Sequence, residues 1–170
     1  MTLTRTEVRD LLDRYQISPK RSLGQNFVVE PNTVRRIVEL AQIEAGDQVL
    51  EIGPGLGSLT LALVNQGAHV TAIEIDDQLI EVLKEVTAGK QVNVLHEDVM
   101  KFDFESHFTS GNWKLVANLP YNISVPLICN LLDTTPSITE MLVMVQSEVA
   151  DRLVAKPGTK TYGFPSVKVS

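Results

Sequence analysis

The chain has 170 residues, 44% of them hydrophobic and 21% charged, with a formal net charge of −6. That is enough for one domain with a core of its own, and the composition is ordinary for a globular protein. No run approaches the ~20 apolar residues of a membrane span, the first fifteen residues hold no signal-peptide core, and a single cysteine, Cys129, rules out an intrachain disulfide and cysteine-rich zinc sites; His69, His96 and His107 stand far apart, so no metal is expected, and a reducing cytoplasm is the expected compartment.

Taken in chain order, "TRTEVRDLLDRY" predicts a short amphipathic helix with Thr4 and Glu7 as a capping box. "QISPKRSLGQNFVVE" is a loop by its Ser, Pro and Gly content. "PNTVRRIVELAQI" places Val34, Ile37, Val38 and Ala41 on one helical face, with Pro31 in the first turn. Gln48–Ile52 is a buried strand, followed at once by glycines and by a helix, "SLTLALVNQ", that Gly67 ends. Strands "HVTAIEID", "QVNVLHED", "WKLVAN" and "EMLVMVQ" then alternate with helices "DQLIEVLKEV", "VPLICNLLD" and "SEVADRLVA". Such alternation with short links predicts an α/β fold, a parallel sheet covered by helices on both faces. Ligands in such sheets bind at the carboxyl ends of the strands. The last segment, "GTKTYGFPSVKVS", is expected to begin a sixth strand that stops at Ser170 without a successor, and the chain reads as the N-terminal portion of something longer. Residues 1–19 are expected to be a helical extension and residues 20–170 the main domain.

Charge is uneven along this plan. Residues 41–108 hold twelve Asp and Glu against three Lys and Arg. "SPKRSLGQ" and "VRRI" are local basic spots; such spots are most often solvated faces.

"EIGPGLG" puts Gly53, Gly55 and Gly57 between a buried strand and a helix. Glycine there permits a tight turn and close approach of a ligand, and the helix start beyond it offers free N–H groups. Glu74 ends the next strand, 21 residues after Gly53, a spacing that suits the hydroxyls of a ribose. A glycine turn alone also serves purely structural ends; turn and acid together imply an adenosine-containing cofactor. The dinucleotide fingerprint G-x-G-x-x-G is broken by Ser58, so pyrophosphate binding is poorly supported. S-adenosylmethionine, with a ribose and an adenine but no phosphate, is the alternative. Glu51 is placed to help with its ammonium side, directly or through water. Asp98, just past the third strand, is placed either to accept from an adenine amine or to cap a turn.

The fourth strand ends in "NLPYNIS", and Asn-Leu-Pro-Tyr resembles the amino-methyltransferase motif class [Asn/Asp]-Pro-Pro-aromatic. The set "KRSLGQNF", "EIGPGLG", "IEID", "NLPYNIS" and "VQSEVADRL" resembles the ribosomal RNA adenine N(6),N(6)-dimethyltransferase family, in order and spacing, from about Lys20 to Ser170. The resemblance implies a Rossmann-like class I S-adenosylmethionine-dependent methyltransferase sheet. It also implies a cofactor site made of Asn26, the backbone at Val28, Gly53, Gly55, Glu74, Asp98 and Asn118. Family members usually have Leu or Met where Val28 stands, a change that a backbone contact tolerates. The family's Phe-x-Pro-x-Pro-Lys-Val motif and its small helical domain are not in these 170 residues; "YGFPSVKVS" is taken as the strand before them.

An adenine amine is a poor nucleophile, because its lone pair is delocalised into the ring. The residues expected to carry catalysis are Asn118 and Leu119, through a side-chain oxygen and a backbone carbonyl that accept from the amine, Pro120, which holds that carbonyl, and Tyr121, on which the flipped base stacks. Lys20, Arg21, Arg35, Arg36 and Arg152 are the candidates for RNA phosphate contacts. The expected partner is small-subunit ribosomal RNA in a pre-ribosomal particle, with the protein a monomer, no membrane and no metal. The competing readings are a resistance-type large-subunit adenine methyltransferase, a DNA adenine methyltransferase, a non-catalytic ribosome-assembly factor and, last, a dehydrogenase.

Overall fold

The computed structural model describes residues 2–18 and 30–170. Five strands form one parallel sheet: β1 (Gln48–Ile52), β2 (His69–Glu74), β3 (Val92–His96), β4 (Trp113–Asn118) and β5 (Ile138–Met144), in the order β3-β2-β1-β4-β5. The order reverses between β1 and β4, the kind of switch point beside which open α/β sheets bind ligands. All pairs are parallel, so the five carboxyl ends lie along one edge.

The helices are α1 (Arg5–Arg14), α2 (Pro31–Leu40), α3 (Ser58–Asn65), α4 (Asp77–Val86), α5 (Phe104–His107), α6 (Ser124–Thr134), α7 (Ser147–Leu153) and α8 (Phe164–Val169). Alternate strand residues sort to two faces, as the pleat requires. Leu50, Ile52, Ile73, Leu115 and Ala117 join Leu127, Ile128 and Leu131 of α6 on one side. Val49, Val70, Ala72 and Val116 join α2 and α3 on the other. A third cluster lies outside the sheet, where Val8 and Leu11 of α1 meet Leu61 of α3 and Leu79 and Val82 of α4.

The expected strands and the helices between them are present, and the capping box at Thr4 and Glu7 is formed as the spacing predicts. The sixth strand is not: Phe164–Val169 is a helix. Pro165 suits a helix start, and the Ser166 hydroxyl accepts from the Gly163 N–H at 3.2 Å while donating to the Arg152 carbonyl at 2.6 Å. The segment is thereby tied to the end of α7 instead of the sheet. Helix α5 was not expected either. Phe104 and Phe108 bury themselves beside α6, and Asp103 caps the turn by accepting from the Ser106 N–H.

Candidate functional site

A cavity of about 410 Å³ lies over the carboxyl edge of the sheet. Every strand end contributes: Glu51–Gly55 after β1, Ile73–Ile75 at β2, Glu97–Met100 after β3, Asn118–Ile123 after β4 and Met144–Gln146 after β5.

The glycine turn forms the floor. Gly53 and Gly55 have φ of 69° and 59°, left-handed values that side chains disfavour. A Cβ on Gly53 would stand 3.6 Å from Cδ of Pro120, so the turn after β1 and the turn after β4 touch directly. That contact brings the two sequence motifs onto one cavity.

Glu74 is 5% exposed. Its Oε1 accepts from the N–H groups of Ile75 and Asp76 at 2.9 and 3.0 Å, and its Oε2 accepts from Gly55 N–H at 3.1 Å. Burial pushes its pKa up, and the three N–H groups oppose that push. The same carboxylate therefore braces the glycine turn and faces the cavity. Glu51 is 2% exposed, and burial drives its pKa up to about 8; the Thr60 hydroxyl beside it opposes that rise and the charge of Glu74 adds to it. Its Oε2 and the hydroxyl of Thr60 are both buried and, although neighbours, neither makes a hydrogen bond of good geometry among the described residues. A buried polar atom left unpaired on a cavity wall points to a missing partner there.

Asp98 lines the cavity and also shapes its own loop, accepting from the Met100 N–H at 3.0 Å. At the end of β4, the Leu119 N–H donates to the Met144 carbonyl at 3.0 Å, so β5 pins the turn while the Leu119 side chain is buried. Tyr121 is 53% exposed at the mouth, and its carbonyl accepts from the Ser124 hydroxyl where α6 begins.

Gly53, Gly55, Glu74, Asp98, Asn118, Leu119, Pro120 and Tyr121 thus surround one cavity. Asn26, Val28, Lys20 and Arg21 lie outside the described residues. Arg35 and Arg36 are exposed on α2, each within 4 Å of Glu39, and Arg152 is exposed on α7; none of the three lines the cavity. Sequence reasoning passed over Ile75 and Met100, which line the cavity yet remain 46% and 45% exposed. The signal was a large apolar residue close behind a strand-end acid: Ile75 follows Glu74 directly, and Met100 stands two residues past Asp98. Among the described residues no cluster of His, Cys, Asp and Glu could hold a metal ion, and no helix is long and apolar enough to cross a membrane.

The parallel sheet and its carboxyl-edge cavity are those of a class I S-adenosylmethionine-dependent methyltransferase fold. The family described as ribosomal RNA adenine dimethylase matches residues 17–170, and the chain belongs to it. The chain is 52% identical to ribosomal RNA small subunit methyltransferase A of Corynebacterium efficiens, over 96% of this chain and 58% of that protein. It is 50% identical to the protein of the same name from Mycolicibacterium vanbaalenii, over 98% and 55% respectively. The chain spans about half the length of the curated relatives it matches. Among solved structures, a dimethyladenosine transferase from Plasmodium falciparum superposes with a TM-score of 0.70 at 33% identity, over 82% of this chain and 50% of that one. The 23S rRNA methyltransferase ErmE superposes at 0.67 and 28%, over 78% and 53%.

Proposed function

We propose that the chain carries the methyl-donor site and the methyl-transfer motif of a ribosomal RNA adenine dimethyltransferase, one that modifies the exocyclic amines of two adjacent adenosines near the 3′ end of small-subunit rRNA during ribosome biogenesis. The observation that carries this reading is the meeting of the Asn118–Tyr121 turn with the glycine turn and Glu74 on one cavity. Family membership and the names of the relatives support the substrate class.

The residues present fit S-adenosylmethionine. The cavity has the volume of a small-molecule site, its floor is a glycine turn, and one carboxylate oxygen of Glu51 has no partner among the described residues and so suits a cation or donor. Glu74 would take the ribose hydroxyls, Asp98 the adenine amine, and Gly53, Gly55 and Asn118 the rest of the wall, with Asn26 and the backbone at Val28. Glu51 would face the ammonium group. When bound, the cofactor supplies an electrophilic methyl on a sulfonium.

The chain's own residues do the remainder. The Asn118 side-chain oxygen and the Leu119 carbonyl accept from the target amine and draw its lone pair out of the ring plane. Both acceptors are neutral and held before the reaction begins, which is the form of stabilisation that costs no reorganisation. Pro120 fixes the direction of the Leu119 carbonyl, and the exposed Tyr121 ring offers a stacking face worth roughly 1–3 kcal/mol to a flipped base. Transfer gains mainly from orientation, and no step calls for a metal. Arg35, Arg36 and Arg152, with Lys20 and Arg21, would meet RNA phosphates. The working context is a monomer acting on a pre-ribosomal particle in the cytoplasm.

The test is incubation of the protein with labelled S-adenosylmethionine and immature small subunits, beside large subunits, naked RNA and DNA. Label recovered as dimethyladenosine from small subunits is expected. Label confined to large-subunit RNA or to DNA, or no label at all, overturns the reading. Asn118→Ala should lower transfer by at least about 100-fold, the scale of losing one pre-aimed acceptor, while S-adenosylhomocysteine still binds.

A further inference from the structure

Helix α1 lies before the span that the family match covers, yet one of its side chains stands in the cavity. Val8 is 4% exposed and lines the cavity together with Leu56 and Leu79. Those two residues also belong to the apolar cluster that Leu3, Val8, Leu11 and Ile17 form against α3 and α4. The helix is also secured at both ends by polar contacts. The Thr2 hydroxyl donates to the Ser58 carbonyl at 2.7 Å. At the other end, Arg14 reaches Glu85 of α4 at 2.6 Å, and the Tyr15 hydroxyl donates to the same carboxylate.

We propose that α1 is a structural part of the ligand site: Val8 closes the cavity beside Leu56 and Leu79, and ligand binding and the docking of α1 stabilise one another. The proposal rests on the S-adenosylmethionine reading above for its ligand. It gives the segment expected as a separate N-terminal extension a share in the site.

The physical argument has two parts. An isolated helix of ten residues is marginal in water, so α1 keeps its helix because its apolar face is docked. Undocking removes one wall of the cavity and opens Leu56 and Leu79 to solvent. A ligand that gains contact from the closed wall binds the docked state more tightly. By linkage it must suppress undocking, by a factor that approaches 1 + [L]/Kd when the undocked state does not bind.

Amide hydrogen exchange reads this directly. The protein is compared without ligand and with S-adenosylhomocysteine at 100 times its calorimetric Kd. Amides in the middle of α1, Val8 to Leu12, should slow by about tenfold or more, toward a ceiling of about 100-fold, while those of α8 change less than twofold. Leu11 is buried in the α1 cluster and does not line the cavity; Leu11→Ala should weaken S-adenosylhomocysteine binding by about fivefold or more. Unchanged α1 exchange, beside protection of the Gly53–Gly57 turn, overturns the proposal whether or not Leu11→Ala folds. Unaltered affinity in a folded Leu11→Ala variant overturns it too. If the parent protein shows no heat of binding and no amide responds, the S-adenosylmethionine reading falls and takes this proposal with it, so the two failures are told apart.

Discussion

Glu51 is kept where a carboxylate costs most. It is buried on the cavity wall, with Thr60 beside it and the like charge of Glu74 close enough to be felt. Its pKa is lifted from an ordinary 4.5 to about 8, so at neutral pH the folded protein holds a proton that the unfolded chain releases. Stability from this group is therefore complete below pH 4.5, declines as pH rises, and is lost once pH passes about 8. Unfolding free energies measured at pH 5, 6, 7 and 8 should fall with pH, by a few kcal/mol at most. In Glu51→Gln the slope should flatten. The parent and variant curves running parallel would show that Glu51 is ionised in the folded state. Glu74 is buried nearly as deeply, but its three N–H donors compensate it, so it should contribute less to the slope.

At the scale of elements, α8 departs furthest from expectation. "YGFPSVKVS" has the β-branched content of a strand, but a strand needs a partner, and Gly163, Pro165 and Ser166 together supply a local helix start instead. Ser166 is 1% exposed and serves both as acceptor for Gly163 and donor to Arg152. Ser166→Ala should lower stability by about 1–3 kcal/mol, since it removes two part-buried hydrogen bonds to backbone groups. A thermal melt checks the loss, and hydrogen exchange should locate it at α7 and α8. Helix α5 was missed for a different reason. It has only four residues, too few to establish a 3.6-residue period, and what holds it is the packing of Phe104 and Phe108.

At the scale of the molecule, charge matters more in its placement than in its sum. The net charge of −6 opposes binding to RNA, so a phosphate interface must be local. Arg35 and Arg36 share Glu39 at 3.6 and 3.7 Å, exposed pairs that are worth little and leave both guanidinium groups accessible. If these arginines and Arg152 meet phosphates, Arg35→Glu, Arg36→Glu and Arg152→Glu together should weaken rRNA affinity and reduce the slope of log affinity against log salt by roughly two to three. Filter binding from 50 to 200 mM salt measures both. An unchanged slope would return these residues to the solvated face that their local pattern suggests.

The sequence by itself determined the alternation of strands and helices, because a parallel sheet writes continuous apolar runs separated by short turns. It also marked Gly53, Gly55, Glu74, Asp98 and Asn118–Tyr121, because each stands at or just past a strand end and breaks the local pattern. Only the tertiary structure decided what lies across from each mark. That Pro120 stands over Gly53, that Glu51 is buried on the cavity wall beside Thr60 and near Glu74, and that Val8 of α1 reaches the same cavity are contacts between segments distant in the chain. Periodicity along a chain reports which face a residue turns inward; it holds no record of which other segment meets that face. The outcome at Phe164–Val169 has the same cause: its fate turned on whether sheet or helix α7 offered the nearer partner, and that is a property of the folded molecule.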